Sequence, residues 1–245
     1  MRNGTHTMTV FRRELKGYFT TPVAYVFLVV FLVLTGFLTF TMGAFFERGQ
    51  ANLIALFELL PWVFLLLVPA ATMGLWAEER RSGTLELLLT MPITLTQAVV
   101  GKFLAAWTFL LVALALTFPY VLTVAWLGDP DWGRLAAGYV GTFLLSGATV
   151  AIGSLASALT RSVVVSFVIS LLACLLLLLA GYEPVTSFFT WAPASVVNVL
   201  ASISLLPHYR QFVQGVIDLR DVLYFLSIVL LAGYAAHVVL SCRKV

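Results

Sequence analysis

The sequence predicts an all-α integral membrane protein with six transmembrane helices. Of its 245 residues, 61% are hydrophobic and only 10% are charged, whereas soluble domains have about 45–50% apolar and about 25% charged residues. A soluble fold could not bury so much apolar surface, so lipid must act as the solvent. The apolar residues form solid blocks, which excludes a β-barrel, because its strands alternate apolar and polar residues.

Six apolar blocks are long enough to cross the roughly 30 Å hydrocarbon core of a bilayer as helices. The net charge of +3 comes from basic residues at the ends of these blocks, and it forms no patch suited to nucleic acid. One transmembrane domain is therefore expected over residues 1–245. Its predicted spans are residues 22–46, 54–76, 103–127, 135–159, 163–182 and 222–240.

The distribution of Lys and Arg predicts the orientation of these spans, because basic residues are enriched in cytoplasmic loops. With the N-terminus in the cytoplasm, ten basic residues lie on the inner side and four on the outer side. Both termini are therefore predicted to face the cytoplasm, and so are residues 78–102. The four outer basic residues are Arg48, Arg134, Arg210 and Arg220.

Residues 9–20 precede the first span and have the pattern of a short amphipathic helix. Their apolar and basic side chains fall on opposite faces at helical spacing. A helix with this partition lies in the plane of the lipid headgroups; the alternative is a basic anchor that only sets the topology. The predicted membrane-interface residues are Phe11, Arg12, Arg13, Leu15, Lys16, Tyr18 and Phe19.

The segment "EERRSGTLELLLTMPITLTQ", residues 78–97, combines charges with turn signals. Gly83 interrupts the chain, Pro92 stops a short helix, and Thr94 with Gln97 has the pattern of a capping box that starts the next helix. The segment is therefore predicted to form a helix-turn-helix elbow. Its leucine side either docks on something outside the bilayer or rests on lipid, and composition does not decide between the two. The leucines concerned are Leu85, Leu88 and Leu89.

Residues 183–219 form the longest predicted outer segment, too apolar for a solvated loop and too rich in proline to span the membrane. Two short helices that dip into the outer leaflet would fit, at about 193–203 and 207–214. Gly215 is suited to end the second helix. Two acidic residues are placed to open the last span by capping and by the helix dipole: Asp218 and Asp221.

The fourth predicted span is rich in small residues. Gly147 with Ala151 and Gly153 with Ser157 are small-xxx-small pairs, which allow helices to approach closely. Packing within the chain is the simpler explanation, and a dimer interface is the alternative.

No motif for chemistry is found in the sequence. It contains no phosphate-binding loop, no clustered metal ligands and no paired carboxylates of a hydrolase. No catalytic, cofactor-binding or metal-binding residue is therefore predicted. Glu58 and His237 are the ionisable residues closest to span interiors, and intramembrane charge is a functional hint. Glu58 is a candidate pathway residue, but the two lie too far apart for a proton relay.

The segment "EERRSGTLELLLTMPITLTQAVVGK" resembles the permease subunits of type-2, exporter-class ABC transporters. The shared pattern is an acidic-basic pair, Gly-Thr-x-Glu, leucines, a proline, and Gly-Lys before span three. "ELKGYFTTPVAYVF" and "HYRQFVQGVIDLRDVLYF" are most similar to the gliding-motility-type branch. In this chain the pattern comprises Glu79, Arg80, Gly83, Thr84, Glu86, Leu88, Leu89, Pro92, Gly101 and Lys102.

This resemblance implies that the N-terminal helix is an elbow helix and that residues 183–219 are re-entrant. It implies that residues 78–97 are a coupling helix, which docks on a separate ATP-binding subunit carrying ATP and Mg²⁺. Two permease chains, identical or related, would work with two such subunits in the bacterial cytoplasmic membrane. The implied contacts to the ATP-binding subunit are Glu79, Arg80, Gly83, Thr84, Leu85, Glu86, Leu88, Leu89 and Pro92.

The function that follows from the resemblance is ATP-driven export of an amphiphilic or hydrophobic substrate by a subunit that is not itself an enzyme. An extracytoplasmic accessory protein is a further possible partner. The alternative function is a stand-alone secondary transporter or channel. That class usually has several charged residues at mid-membrane or inverted repeats, and this sequence shows neither.

Overall fold

A computed structural model describes residues 3–42, 52–84, 93–182, 185 and 202–242. Within these ranges the chain is helical and contains no strand, as the sequence predicts. A π-helical turn, Leu38–Met42, extends the second helix. Numbered in chain order, the helices are α1 (Asn3–Thr20), α2 (Pro22–Phe37), α3 (Ile54–Thr72), α4 (Gly74–Ser82), α5 (Leu95–Ala115), α6 (Phe118–Leu127), α7 (Trp132–Leu159), α8 (Val163–Leu179), α9 (Leu205–Val213) and α10 (Leu219–Cys242).

Five helical segments in the described part of the chain are long and apolar enough to cross a membrane. The remaining predicted span, 163–182, corresponds to α8, an apolar helix of 17 residues at the lower limit of spanning length. The count of six spans stays a prediction. Residues 43–46 and nearly all of the predicted helix 193–203 lie outside the described residues. The five segments are Pro22–Thr41, Ile54–Ser82, Leu95–Leu127, Trp132–Leu159 and Leu219–Cys242.

Helix α7 is the centre of the bundle and contacts α3, α4, α5, α8, α9 and α10. Several of its glycines face bulky side chains of these neighbours. The helices can approach so closely because glycine has no Cβ atom, and a larger residue would displace the facing side chain. The close approach that the small residues predict therefore occurs within the chain. The facing pairs are Gly138 with Phe57, Gly141 with Phe212, and Gly147 with Trp107.

We expect Gly138→Ala to destabilise the fold. The added methyl group would lie 2.6 Å from Phe57 Cε2, and overpacking of this kind lowers the free energy of unfolding by about 1–3 kcal/mol. The thermal unfolding midpoint of the detergent-purified protein should fall. Gly233→Ala is the matched control, because an added methyl group there meets no heavy atom within 4 Å. Equal midpoints for the two variants would contradict the packing described above.

The predicted stop at Gly215 is confirmed by the end of α9. Gly215 has a φ of 89°, its N–H donates to Phe212 O, and the N–H of Val216 donates to Gln211 O, both at 3.0 Å. These bonds form a Schellman motif, in which glycine adopts the left-handed conformation without steric cost.

The N-terminus of α10 is held to α9 by a buried acidic residue. Asp221 lies in the first turn of α10, as predicted, and is 5% exposed. Its Oδ1 lies 2.6 Å from His208 Nδ1, and the His208 ring stacks on Tyr224 with centroids 3.9 Å apart. Asp218 caps the helix through a 3.0 Å bond from Arg220 N to its Oδ1.

Candidate functional site

The predicted coupling segment begins in α4, which is separated from α3 by a short break at Met73. Just before the break, Thr72 Oγ1 donates to Val68 O at 2.8 Å, a side-chain bond that bends helices. Helix α4 is therefore a distinct short helix at the end of span two, and it leads directly into the segment 85–92.

The hydroxyl group of Ser157, in α7, forms hydrogen bonds with the backbone on both sides of this break. Its Oγ accepts hydrogen bonds from Trp76 N and Ala77 N, each at 3.0 Å, and donates to Met73 O at 2.8 Å. The indole Nε1 of Trp76 donates to Ser154 Oγ at 3.1 Å. Sequence reasoning identified Ser157 only as a small residue, because nothing local indicates that its hydroxyl bonds to a distant backbone.

Arg80 attaches the other end of α4 to α7. Its Nη1 donates to Ala158 O at 2.6 Å and to Thr160 O at 3.3 Å. Carbonyl groups at a helix C-terminus lack partners within the helix and attract positive charge. Arg80 therefore caps α7 while it fixes the direction of α4.

Lys102 joins α4 to α5 and α1 in one ion cluster, which surrounds its own buried ammonium group. Its side chain is 3% exposed, and its Nζ lies 2.9 Å from Glu79 Oε1 and 3.2 Å from Glu14 Oε2. It also donates to Leu75 O at 2.9 Å. Arg13 completes the cluster, 2.7 Å from Glu14 Oε1 and 3.6 Å from Glu79 Oε1.

The charges of this cluster balance, since two carboxylates face two cations. Burial by itself would raise the pKa of Glu14, but Lys102 and Arg13 together outweigh it and hold that pKa below its ordinary value. A buried ammonium group is tolerated only when such partners compensate its lost hydration. The cluster therefore requires α1, α4 and α5 to stay together.

Helix α1 runs parallel to the first turns of α5, since its contacts advance in the same direction along both helices. Val10 faces Gly101, and further along Tyr18 stacks on Phe109 with ring centroids 4.8 Å apart. Tyr18 OH also donates to Ala71 O at 2.8 Å. The apolar face of α1 thus packs on the protein.

The predicted membrane-interface residues divide accordingly. Arg12, Arg13 and Lys16 are exposed, whereas the apolar members of the set are half-buried, and Phe19 also contacts Phe109 edge-on at 5.8 Å. Contact of α1 with the headgroup region remains a prediction.

A comparison with protein families identifies the chain. Residues 47–240, from before α3 almost to the end of α10, match the model described as ABC-2 family transporter protein. The chain belongs to the ABC-2 transporter family. It is a multi-pass membrane protein and the membrane subunit of an ABC transporter. No individual curated protein matches it, and the gliding-motility-type branch stays a prediction.

In this ABC-2 permease, two of the turn signals within the predicted coupling segment 78–97 are confirmed, the break at Gly83 and the capping box at Thr94. Gly83 ends α4 with a φ of 72°, and Thr84 beside it is exposed. The predicted capping box opens α5: Gln97 N donates to Thr94 Oγ1 at 3.3 Å, and Thr94 N donates to Gln97 Oε1 at 3.0 Å. The predicted partner contacts that lie outside the described residues are Leu85, Glu86, Leu88, Leu89 and Pro92.

Two predicted contacts of the permease, Glu79 and Arg80, bond within the chain through the ion cluster and the carbonyls of α7. Their contact with an ATP-binding subunit remains a prediction. Glu58 is exposed near the start of α3, and His237 is half-buried near the end of α10. A pathway role for Glu58 also remains a prediction.

Proposed function

We propose that this permease exports an amphiphilic or hydrophobic substrate, driven by a separate ATP-binding subunit that docks on residues 78–97. Members of the family normally work with an ABC ATP-binding subunit. The observation that supports the docking place is the attachment of α4 to three other helices by Lys102, Ser157 and Arg80. A second permease chain, identical or related, would complete the assembly.

The attachments of α4 suggest how motion would pass into the membrane. ATP and Mg²⁺ bind on the partner, and closure of the partner displaces the segment 85–92. Because α4 is bonded to α7 through Ser157 and Arg80, span four moves with it. Because Lys102 bonds to Glu79 and Glu14, span three and α1 move as well. The unit that moves thus comprises spans two, three and four together with α1.

The same bonds suggest that different residues of the segment hold α4 in place and contact the partner. Glu79 and Arg80 hold α4 in place, while the buried contact with the partner falls to the leucines that follow Gly83. Glu86 would orient the docked segment through a polar contact. Thus we expect changes at Glu86 to affect coupling without affecting the fold.

Glu86→Lys tests this function. We expect the variant to insert into the membrane normally but to lower ATP hydrolysis by the reconstituted permease–ATPase complex several-fold, because loss of a charge-assisted contact weakens docking by about 1.5–3 kcal/mol. Arg220→Glu is the control: it reverses an exposed charge on the opposite predicted side of the membrane, away from both cavities. Hydrolysis at the wild-type rate by Glu86→Lys would refute the docking role.

A further inference from the structure

A cavity of about 460 Å³ lies at the opposite end of the bundle from α4, between α3, α7 and α9. Its volume falls in the range of pockets that hold small molecules, roughly 300–1,000 Å³. Charged side chains from three helices line it: Glu58 from α3, Arg134 from α7 and Arg210 from α9. None of the predicted coupling residues lies here.

The charges around this cavity favour a zwitterionic ligand. Guanidinium groups are the preferred partners of phosphate, and the Glu58 carboxylate suits an ammonium group. Two more acidic residues, Asp129 and Asp131, line an adjoining cavity of about 330 Å³ that shares Arg134. Acidic residues therefore offset the two cations, so a purely anionic ligand would meet repulsion as well as attraction.

The rest of the cavity wall is amphipathic and firmly held. Trp62 and Tyr182 pack edge to face with centroids 5.6 Å apart, and aromatic residues of this kind are enriched at the membrane–water interface. Tyr209 forms the floor, and its hydroxyl donates to Phe57 O at 2.9 Å. The remaining lining consists of one polar residue, Gln214, and four aliphatic residues: Ile54, Leu59, Leu206 and Val213.

We propose that this cavity binds the headgroup of a zwitterionic phospholipid, with the phosphate at Arg134 and Arg210 and a primary ammonium group at Glu58. The aliphatic wall then meets the glycerol and the first carbons of the acyl chains. The inference goes beyond the proposed function. Its test requires no ATP hydrolysis, so a failure of the lipid-site proposal can be distinguished from a failure of the proposed export function.

The test compares two water-soluble, short-chain lipids on the full chain in uncharged maltoside detergent. We expect phosphatidylethanolamine to bind roughly tenfold more tightly than phosphatidylglycerol, the effect of one charge-assisted contact. Glu58→Gln should abolish this preference, and Arg210→Gln should weaken binding of both lipids roughly tenfold. Arg220→Gln, an exposed arginine that does not line the cavity, is the control and should leave both affinities unchanged.

Equal affinity of the wild type for both lipids, or an unchanged preference in Glu58→Gln, would overturn the proposal. A third ligand, phosphoethanolamine without acyl chains, separates a lipid from a free headgroup. It should bind at least roughly tenfold more weakly than the short-chain lipid, because it leaves the aliphatic wall uncovered. Binding as tight as that of the lipid would contradict the phospholipid assignment.

Discussion

Replacing Lys102 with methionine is expected to lower the free energy of unfolding by about 3 kcal/mol, the lower end of the effect of removing one partner from a buried ion pair, because the two carboxylates left behind are partly exposed. Without the ammonium group, Glu14 and Glu79 share one remaining cation, Arg13, which lies 2.7 Å from Glu14 Oε1 and 3.6 Å from Glu79 Oε1. Leu75 O loses its donor as well. The thermal unfolding midpoint of the detergent-purified chain, followed by tryptophan fluorescence, measures the change.

Two further variants show whether charge is the cause. Lys102→Met combined with Glu79→Gln leaves one cation, Arg13, paired with one carboxylate, Glu14, so the charges of the cluster balance again and the variant should recover most of the lost stability. Lys16→Met removes an exposed lysine from α1 and should have no effect. If Lys102→Met unfolds at the wild-type temperature, the ion cluster does not hold α1, α4 and α5 together.

Ser157→Ala is expected to have the second largest effect. It leaves Trp76 N, Ala77 N and Met73 O without their shared partner, and each unsatisfied buried group destabilises a fold by about 1–3 kcal/mol. We expect a total loss of more than about 2 kcal/mol. ATP hydrolysis by the assembled complex should also fall, because α4 would no longer move as one unit with α7.

Ser227→Ala is the matched control for this change. Ser227 is exposed and donates only to Tyr224 O within its own helix, so its loss should leave the unfolding midpoint unchanged. If Ser157→Ala proves as stable as Ser227→Ala, the break in span two does not depend on α7 and needs another explanation.

The features that the sequence predicted correctly are those that depend on neighbouring residues. The apolar blocks predict helices because a segment that crosses lipid must satisfy its own backbone hydrogen bonds. The capping box at Thr94 and the stop at Gly215 are local patterns, and both are confirmed. The parallel packing of α1 on α5 is a tertiary contact, and the amphipathic pattern of α1 could not distinguish a protein surface from a lipid surface.

The attachments of α4 could not be predicted because they join residues far apart in the sequence. In the sequence, Lys102 is notable only as part of the family pattern. Its burial could not be predicted, because a single lysine at the start of an apolar run usually reaches towards the lipid headgroups. Its partners lie on α1 and α4, and only the fold brings them together. In the same way, Glu79 and Arg80 belong to the family pattern, but their bonds within the chain depend on where the fold places Lys102 of α5 and the C-terminal end of α7.

The most direct test of the account places a photo-reactive amino acid at position 86 in the intact membrane. We predict an adduct between the permease and an ATP-binding subunit, and none when the same group is placed at position 220, on the opposite predicted side. Adducts with lipid alone at position 86 would show that the segment rests on the bilayer. The claim that a separate ATP-binding subunit drives the permease through α4 would then be contradicted.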